Sequence, residues 1–155
     1  MRIRVIAIGS RLPGWVREGV EDYLKRFGHA LRVSVIEIEA GQRTGSSPKR
    51  AMELEAQRLL AAVGKDEYVV ALDERGKEMT SQQLAGWLGD RMQDGRDLAL
   101  LIGGPDGFAP GVLERANFKW ALSKLTFPHA LVRVVLAEQL YRAHTVLTNH
   151  PYHRE

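Results

Sequence analysis

Short runs of β-branched residues and stretches of helical periodicity alternate along the whole chain, and this alternation leaves few architectures open. Residues 2–8 (RIRVIAI) form such a run, ending at Gly9. Trp15, Val16, Val20, Tyr23, Leu24 and Phe27 then recur at helical spacing between Pro13 and Gly28. Residues 31–38 (LRVSVIEI) alternate apolar and polar side chains, as a half-buried strand does. Ser47-Pro48 reads as an N-cap followed by proline at the first helical position, opening a helix to Val63 that Gly64 stops. Residues 68–72 predict a short strand and residues 73–77 (DERGK) a turn. Thr80 and Gln83 have the spacing of a capping box and open a helix to about Gln93. Residues 98–102 (LALLI) are all apolar, as in a central parallel strand buried on both faces. A short helix over 110–116, a short strand over 118–122 and a last helix over about 128–147 complete five strands and five helices. The expected fold is α/β: a Rossmann-like parallel sheet with helices on both faces, in one domain over residues 1–155. There is no internal repeat, linker or low-complexity tract.

A domain of 155 residues with 45% hydrophobic content needs no staple to hold a core. The absence of cysteine excludes disulfides, thiolate zinc sites, iron–sulfur clusters and a cysteine nucleophile, and it fits a cytoplasmic protein. No apolar run reaches the roughly 18 residues of a membrane span. Arg4 interrupts the apolar start and no small-residue cleavage site follows, so a signal peptide is not expected.

The net charge of +3 conceals a strong asymmetry. Residues 1–50 carry +5, residues 51–114 carry −6, and residues 115–155 carry +4. Four of the five histidines lie between His129 and His153. Two basic ends that meet around an anionic partner such as nucleic acid would explain this; so would an ordinary surface with clustered charge. Residues 39–50 (EAGQRTGSSPKR) are rich in Gly, Ser and basic groups and hold no apolar anchor, which predicts a mobile loop.

Familiar fingerprints are missing. The GSRLPG loop after the first strand lacks the Lys-Ser/Thr of a phosphate loop, and no G-x-G-x-x-G occurs. No metal-ligand spacing such as H-E-x-x-H and no G-x-S-x-G elbow is present. In a parallel sheet ligands bind beyond the carboxyl ends of strands. The loops after Leu72, Ile102 and Leu122 occupy such positions. Gly103-Gly104-Pro105-Asp106-Gly107 ends the most buried strand, where glycines allow close approach of a ligand or merely a tight turn. Residues 122–129 (LSKLTFPH) offer uncommitted backbone groups between the apolar walls Leu125 and Phe127, a frame for a heterocycle or an ordinary loop.

The last helix is apolar on every side, with Leu131, Val132, Val134, Val135, Leu136, Leu140, Tyr141, Val146 and Leu147 distributed around it. One face covers the sheet, and the other is expected to meet a second subunit. Glu138 and Arg142 share a face as an ion pair. His129 and Arg133 lie near the helix start, where an added cation suits an anionic ligand or phosphate. The tail from Asn149 to Glu155 carries two His, a Tyr and an Arg, groups able to stack on a base, bind phosphate or take a proton near neutral pH.

LLIGGPDG, LTFPH, VRVVLAEQLYRA and the terminal TNHPYHRE resemble the RlmH family of small SPOUT-class RNA methyltransferases, and the likeness spans the chain. Asp106 stands where the family pattern has Glu. The resemblance implies a homodimer with a C-terminal trefoil knot, which uses S-adenosylmethionine to methylate N3 of a pseudouridine in 23S rRNA within the ribosome. It implies cofactor contacts from Leu72, Gly103, Gly104, Leu122, Ser123, Lys124, Leu125, Thr126 and Phe127, and no metal. For this chemistry, His153 or Glu138 is expected to assist loss of the imide proton. Arg142 or Arg154 would then stabilise the anion, and Tyr152 would orient or stack on the base. Lys49, Arg50, His129 and Arg133 are expected to bind RNA. A non-catalytic ribosome-associated RNA-binding protein and an enzyme of a conventional nucleotide fold remain as alternatives at this stage.

Overall fold

A computed structural model describes residues 1–154; Glu155, the last residue of the tail motif, lies outside the described residues. The strands are β1 (Arg2–Ile8), β2 (Arg32–Ile38), β3 (Tyr68–Glu78), β4 (Leu98–Ile102) and β5 (Phe118–Ala121). The helices are α1 (Gly14–Leu24), α2 (Pro48–Ala62), α3 (Ser81–Asp94), α4 (Pro110–Arg115) and α5 (His129–Leu147), followed by one 3-10 turn over Pro151–Arg154. The strands form one sheet in the order β2-β1-β4-β3-β5, and every pairing is parallel.

Strand alternation assigns side chains to two cores. Ile3, Val5, Ala7, Val70, Leu98, Leu100 and Ile102 point to one face, where they pack with Leu84 and Leu88 of α3 and Leu136 and Leu140 of α5. Ile6, Ile8, Val69, Ala99 and Leu101 point to the other, against Ala56 and Leu59 of α2 and Val112 of α4. A slip of one residue in β4 would exchange these sets, so the all-apolar strand has its register fixed from both sides. Val16 and Val20 attach α1 to Ala137 of α5.

The local signals for element ends operate as chemistry. Ser47 accepts a hydrogen bond from the Arg50 amide at 3.2 Å, with Pro48 beside it. Thr80 and Gln83 exchange two hydrogen bonds, of 2.9 and 3.1 Å, across the first turn of α3. Gly95 closes that helix at φ 85°, a conformation that a β-carbon disfavours.

Two sequence expectations need correction. Residues 73–77 are not a turn between elements; they bulge within β3. Leu72 and Lys77 both register with Trp120, and Lys77 and Glu78 resume pairing with β5. Gly76 makes the return possible, since a β-carbon there would lie 2.6 Å from the Lys119 carbonyl carbon. The second is the 39–50 segment, which is tied down by ions rather than by apolar contacts. Arg43 binds Glu55 and Asp106, and Arg58 donates to the Glu39 and Ala40 carbonyls.

Candidate active site

The bulge of β3 and the carboxyl ends of β4 and β5 frame a cavity of about 710 Å³, a volume that suits a ligand of nucleoside size. Its walls include Leu72, Gly103, Gly104, Leu122, Ser123, Leu125, Thr126 and Phe127. These are eight of the nine residues expected to hold the cofactor; exposed Lys124 is outside the wall. Ile102 and Val132 add apolar surface, and the β3 bulge contributes Asp73, Glu74 and Arg75. His129 forms part of the rim.

The glycines of the β4 loop are closely packed by their neighbours. The loop closes on itself, with the Gly107 amide donating to the Gly104 carbonyl at 3.1 Å. A β-carbon on Gly103 would sit 3.2 Å from the Gly107 carbonyl carbon, and one on Gly104 would sit 3.0 Å from a Glu55 carboxylate oxygen. Both glycines line the cavity as well, so tight packing behind them brings bare backbone to its wall.

Arg133 lies inside the fold. Its guanidinium donates to Glu37 Oε2 at 2.8 Å and to the carbonyls of Gly9 at 2.6 Å and Ile8 at 3.3 Å. It thus ties the start of α5 to the ends of β1 and β2, away from solvent. Lys49 and Arg50 are exposed on the first turn of α2. Arg50 borders a separate groove with Gln42, Thr44, Glu53, Leu54 and Gln57.

The tail folds back on α5. The Tyr152 hydroxyl donates to Glu138 Oε2 at 2.8 Å, and the same oxygen accepts from Arg142 Nε at 3.0 Å. Gln139 donates to the other oxygen at 2.7 Å. Tyr152 also packs edge-on against Tyr141, at 4.8 Å between centroids, under the Arg142 guanidinium at 5.0 Å. Burial, and then the hydrogen bond to Glu138, push the Tyr152 phenol well above its ordinary pKa. It is therefore a donor at neutral pH. His153 lines a shallow groove with Ser81, Gln82, Gln139, Arg142 and Val146. Its buried Nδ1 has no hydrogen-bond partner among the described residues. Arg154 is exposed.

Glu138, Arg142, Tyr152 and His153 are thus brought together, but not with the cavity: none of them lines it. Glu138 lies nine residues beyond His129 on α5, about 14 Å along the axis. Glu138, Gln139 and Arg142 form a half-buried stripe with Leu131 and Val135 on α5, while Val146 packs against the core. Among the described residues no His, Asp or Glu cluster could hold a metal ion, and no helix is long and apolar enough to cross a membrane.

Glu55 belongs to none of the sequence motifs above. Its signal was its spacing, since it stands four residues from both Ala51 and Leu59 on the buried stripe of α2. The wall residues of the β3 bulge carried no comparable signal once the segment read as a turn.

A family model described as "Predicted SPOUT methyltransferase" matches residues 1–153. The chain is 54% identical to the ribosomal RNA large subunit methyltransferase H of Alkalilimnicola ehrlichii, over 99% of both chains. It is 52% identical to the protein of that name from Stenotrophomonas maltophilia (strain R551-3), again over 99% of both. Among solved structures, a methylase family protein from Haemophilus influenzae Rd KW20 superposes with a TM-score of 0.55 at 13% identity, covering 97% of this chain and 69% of that one. TrmJ from Z. mobilis ZM4 gives 0.52 at 17% identity, covering 92% and 70%. Likeness at such low identity concerns the fold alone.

Proposed function

The chain belongs to the SPOUT methyltransferases and, within them, to the ribosomal RNA large subunit methyltransferase H family; from that premise we propose that it methylates N3 of a pseudouridine in 23S rRNA, using S-adenosylmethionine, in the cytoplasm and on the ribosome. The observation that carries this reading is the cavity at the β3 bulge and the ends of β4 and β5, walled by eight of the nine residues that the resemblance implies. Family membership also implies the C-terminal knot, which places the 122–128 loop beside the β4 loop.

The cavity fits the cofactor's chemistry. Leu72, Leu125, Phe127 and Val132 supply apolar walls for a heterocycle, and the glycine turn and the 122–127 segment supply backbone donors and acceptors. When bound, S-adenosylmethionine supplies a methyl group on a sulfonium, which passes to nitrogen while the bond pair stays on sulfur. The protein's tasks are to hold base and cofactor in line and to manage the N3–H proton. Both oxygens of Glu138 accept hydrogen bonds from the chain's own groups, which leaves that carboxylate engaged. This favours His153 as the proton acceptor, with Glu138 setting Tyr152 and Arg142 in place. Arg142 or Arg154 then stabilises the oxygens of the base as the imide ionises.

Because the tail group stands away from its own chain's cavity, we place the complete site across a homodimer. The tail of one subunit serves the cavity of the other, with the outer stripe of α5 in the interface. Lys49, Arg50 and His129 bind the rRNA backbone in this arrangement, and Arg133 sets the start of α5 that carries His129.

Calorimetry with S-adenosylmethionine and a methylation assay on ribosomes with and without the pseudouridine test the proposal. Cofactor binding with methyl transfer only to the pseudouridine-containing particle is the expected result. RNA binding without cofactor binding would replace the enzyme by a non-catalytic RNA-binding protein.

A further inference from the structure

The β2–α2 segment and the β4–α4 turn are far apart in sequence yet share one ionic bridge. Glu55 of α2 is 2% exposed. Its Oε2 accepts from the Gly41 amide at 2.9 Å and from Arg43 Nη1 at 2.8 Å, and its Oε1 accepts from Arg43 Nη2 at 3.2 Å. The third side of the same guanidinium, Nε, donates to Asp106 Oδ2 at 2.9 Å. One planar fork therefore serves two carboxylates, one buried behind the turn and the other part of the cavity wall. The fit is built from below. A β-carbon on Gly41 would lie 2.5 Å from the Ala51 carbonyl oxygen, so only glycine lets the segment descend to Glu55. The Glu55 carboxylate in turn occupies the space that a β-carbon on Gly104 would need.

We propose that Arg43 is a positioning residue for the cofactor site: seated on Glu55, it holds Asp106 and so keeps the Gly103–Gly107 turn in the shape that binds cofactor. The inference rests on the methyltransferase reading above and assigns Arg43 to the cofactor side of the reaction, although it lies in the basic segment. Asp106 is correspondingly a structural anchor of the turn rather than a ligand to the cofactor. Lysine cannot replace Arg43, because an ammonium keeps the charge but lacks the fork that reaches both carboxylates at once.

The test uses the full chain and four proteins: wild type, Arg43→Lys, Asp106→Ala and the double variant. Calorimetry with S-adenosylmethionine should show each single substitution weakening binding about tenfold, and the double variant no weaker than the worse single one, since both cut one link. The rate at saturating cofactor should change no more than about twofold while KM for cofactor rises, a split that general destabilisation would not give. Without any cofactor, amide hydrogen exchange over residues 103–107 should quicken in Arg43→Lys. Additive losses, or exchange and affinity equal to wild type in Arg43→Lys, would overturn the proposal. Should wild type itself bind no S-adenosylmethionine, the functional reading fails, and the exchange measurement still decides whether Arg43 holds the turn.

Discussion

The Tyr152 hydroxyl donates a 2.8 Å hydrogen bond to Glu138 Oε2, and through it the tail is fastened to the middle of α5. The acceptor is charged and the donor half-buried, so the bond is worth more than an average one. Tyr152→Phe should lower stability by about 1–2 kcal/mol, read as a fall in Tm of several degrees for a chain of this size. Single-turnover rates at saturating RNA separate this anchoring from chemistry. His153→Ala is expected to slow methyl transfer at least about a hundredfold, the usual scale of a lost general base. Glu138→Gln should slow it less, because Gln still accepts from Tyr152. If both variants kept nearly the full wild-type rate, the proton would be leaving to solvent.

His144 gives the same region a dependence on pH. Its ring lies against Phe27 at 5.4 Å, and its Nδ1 is buried without a partner among the described residues. Burial, and then the neighbouring His150, lower its pKa below the ordinary histidine value. The folded state thus prefers the neutral ring. The contribution of His144 to stability is complete above about pH 6.5, where its ring is neutral in the unfolded chain as well, and declines as the pH falls from there through the lower, folded-state value. Thermal melts from about pH 7.5 to 5.5 should show this loss in wild type and a flatter dependence in His144→Gln. Equal slopes in the two proteins would assign the acid sensitivity to other groups.

Glycine scanning separates the cavity wall from ordinary helix. A β-carbon on Gly104 would meet Glu55 Oε1 at 3.0 Å and Ile8 Cγ2 at 3.3 Å, so Gly104→Ala overpacks a closed turn. A cost of about 1–3 kcal/mol is expected, together with weaker S-adenosylmethionine binding. Gly111 in α4 has nothing within 4 Å of the corresponding position. Gly111→Ala should gain up to about 1 kcal/mol by reducing the freedom of the unfolded chain, and leave cofactor affinity unchanged. Denaturant midpoints and calorimetry report both.

The contrast between these glycines shows what the sequence could disclose. LALLI, the capping box at Thr80 and the Ser47-Pro48 helix start are signals between near neighbours, and each appears where periodicity put it. Long-range relationships were hidden. That DERGK is a bulge depends on Gly76 meeting Lys119 of another strand, and no local pattern announces that encounter. The buried place of Arg133 depends on Glu37 and on two carbonyls at the end of β1. The cavity residues were legible because strand ends and the family motifs coincide. The distance from tail to cavity was not, since it follows from how far α5 runs before the chain turns back.

The basic segment gives a prediction that reads charge alone. Lys49 and Arg50 are exposed and stand apart from the Arg43 bridge. Each phosphate contact contributes about 0.7–0.9 to the slope of log affinity against log salt concentration. The double variant Lys49→Ala/Arg50→Ala should therefore bind rRNA more weakly and flatten that slope by roughly 1.5. Cofactor affinity should stay as in wild type. An unchanged slope would remove these two residues from the RNA interface.

Subunit mixing tests the shared site directly. Leu122→Arg should disable the cavity and His153→Ala the tail, so each homodimer is inactive by itself. If tail and cavity meet across a two-fold interface, a heterodimer of the two variants holds one site with both parts intact and one with neither. Random exchange of equal amounts makes about half of all dimers heterodimeric, so roughly a quarter of the wild-type activity should return. Sedimentation at micromolar protein should show a dimer throughout. Were tail and cavity of one chain to serve each other, every site in the mixture would lack one part, and mixing would restore nothing.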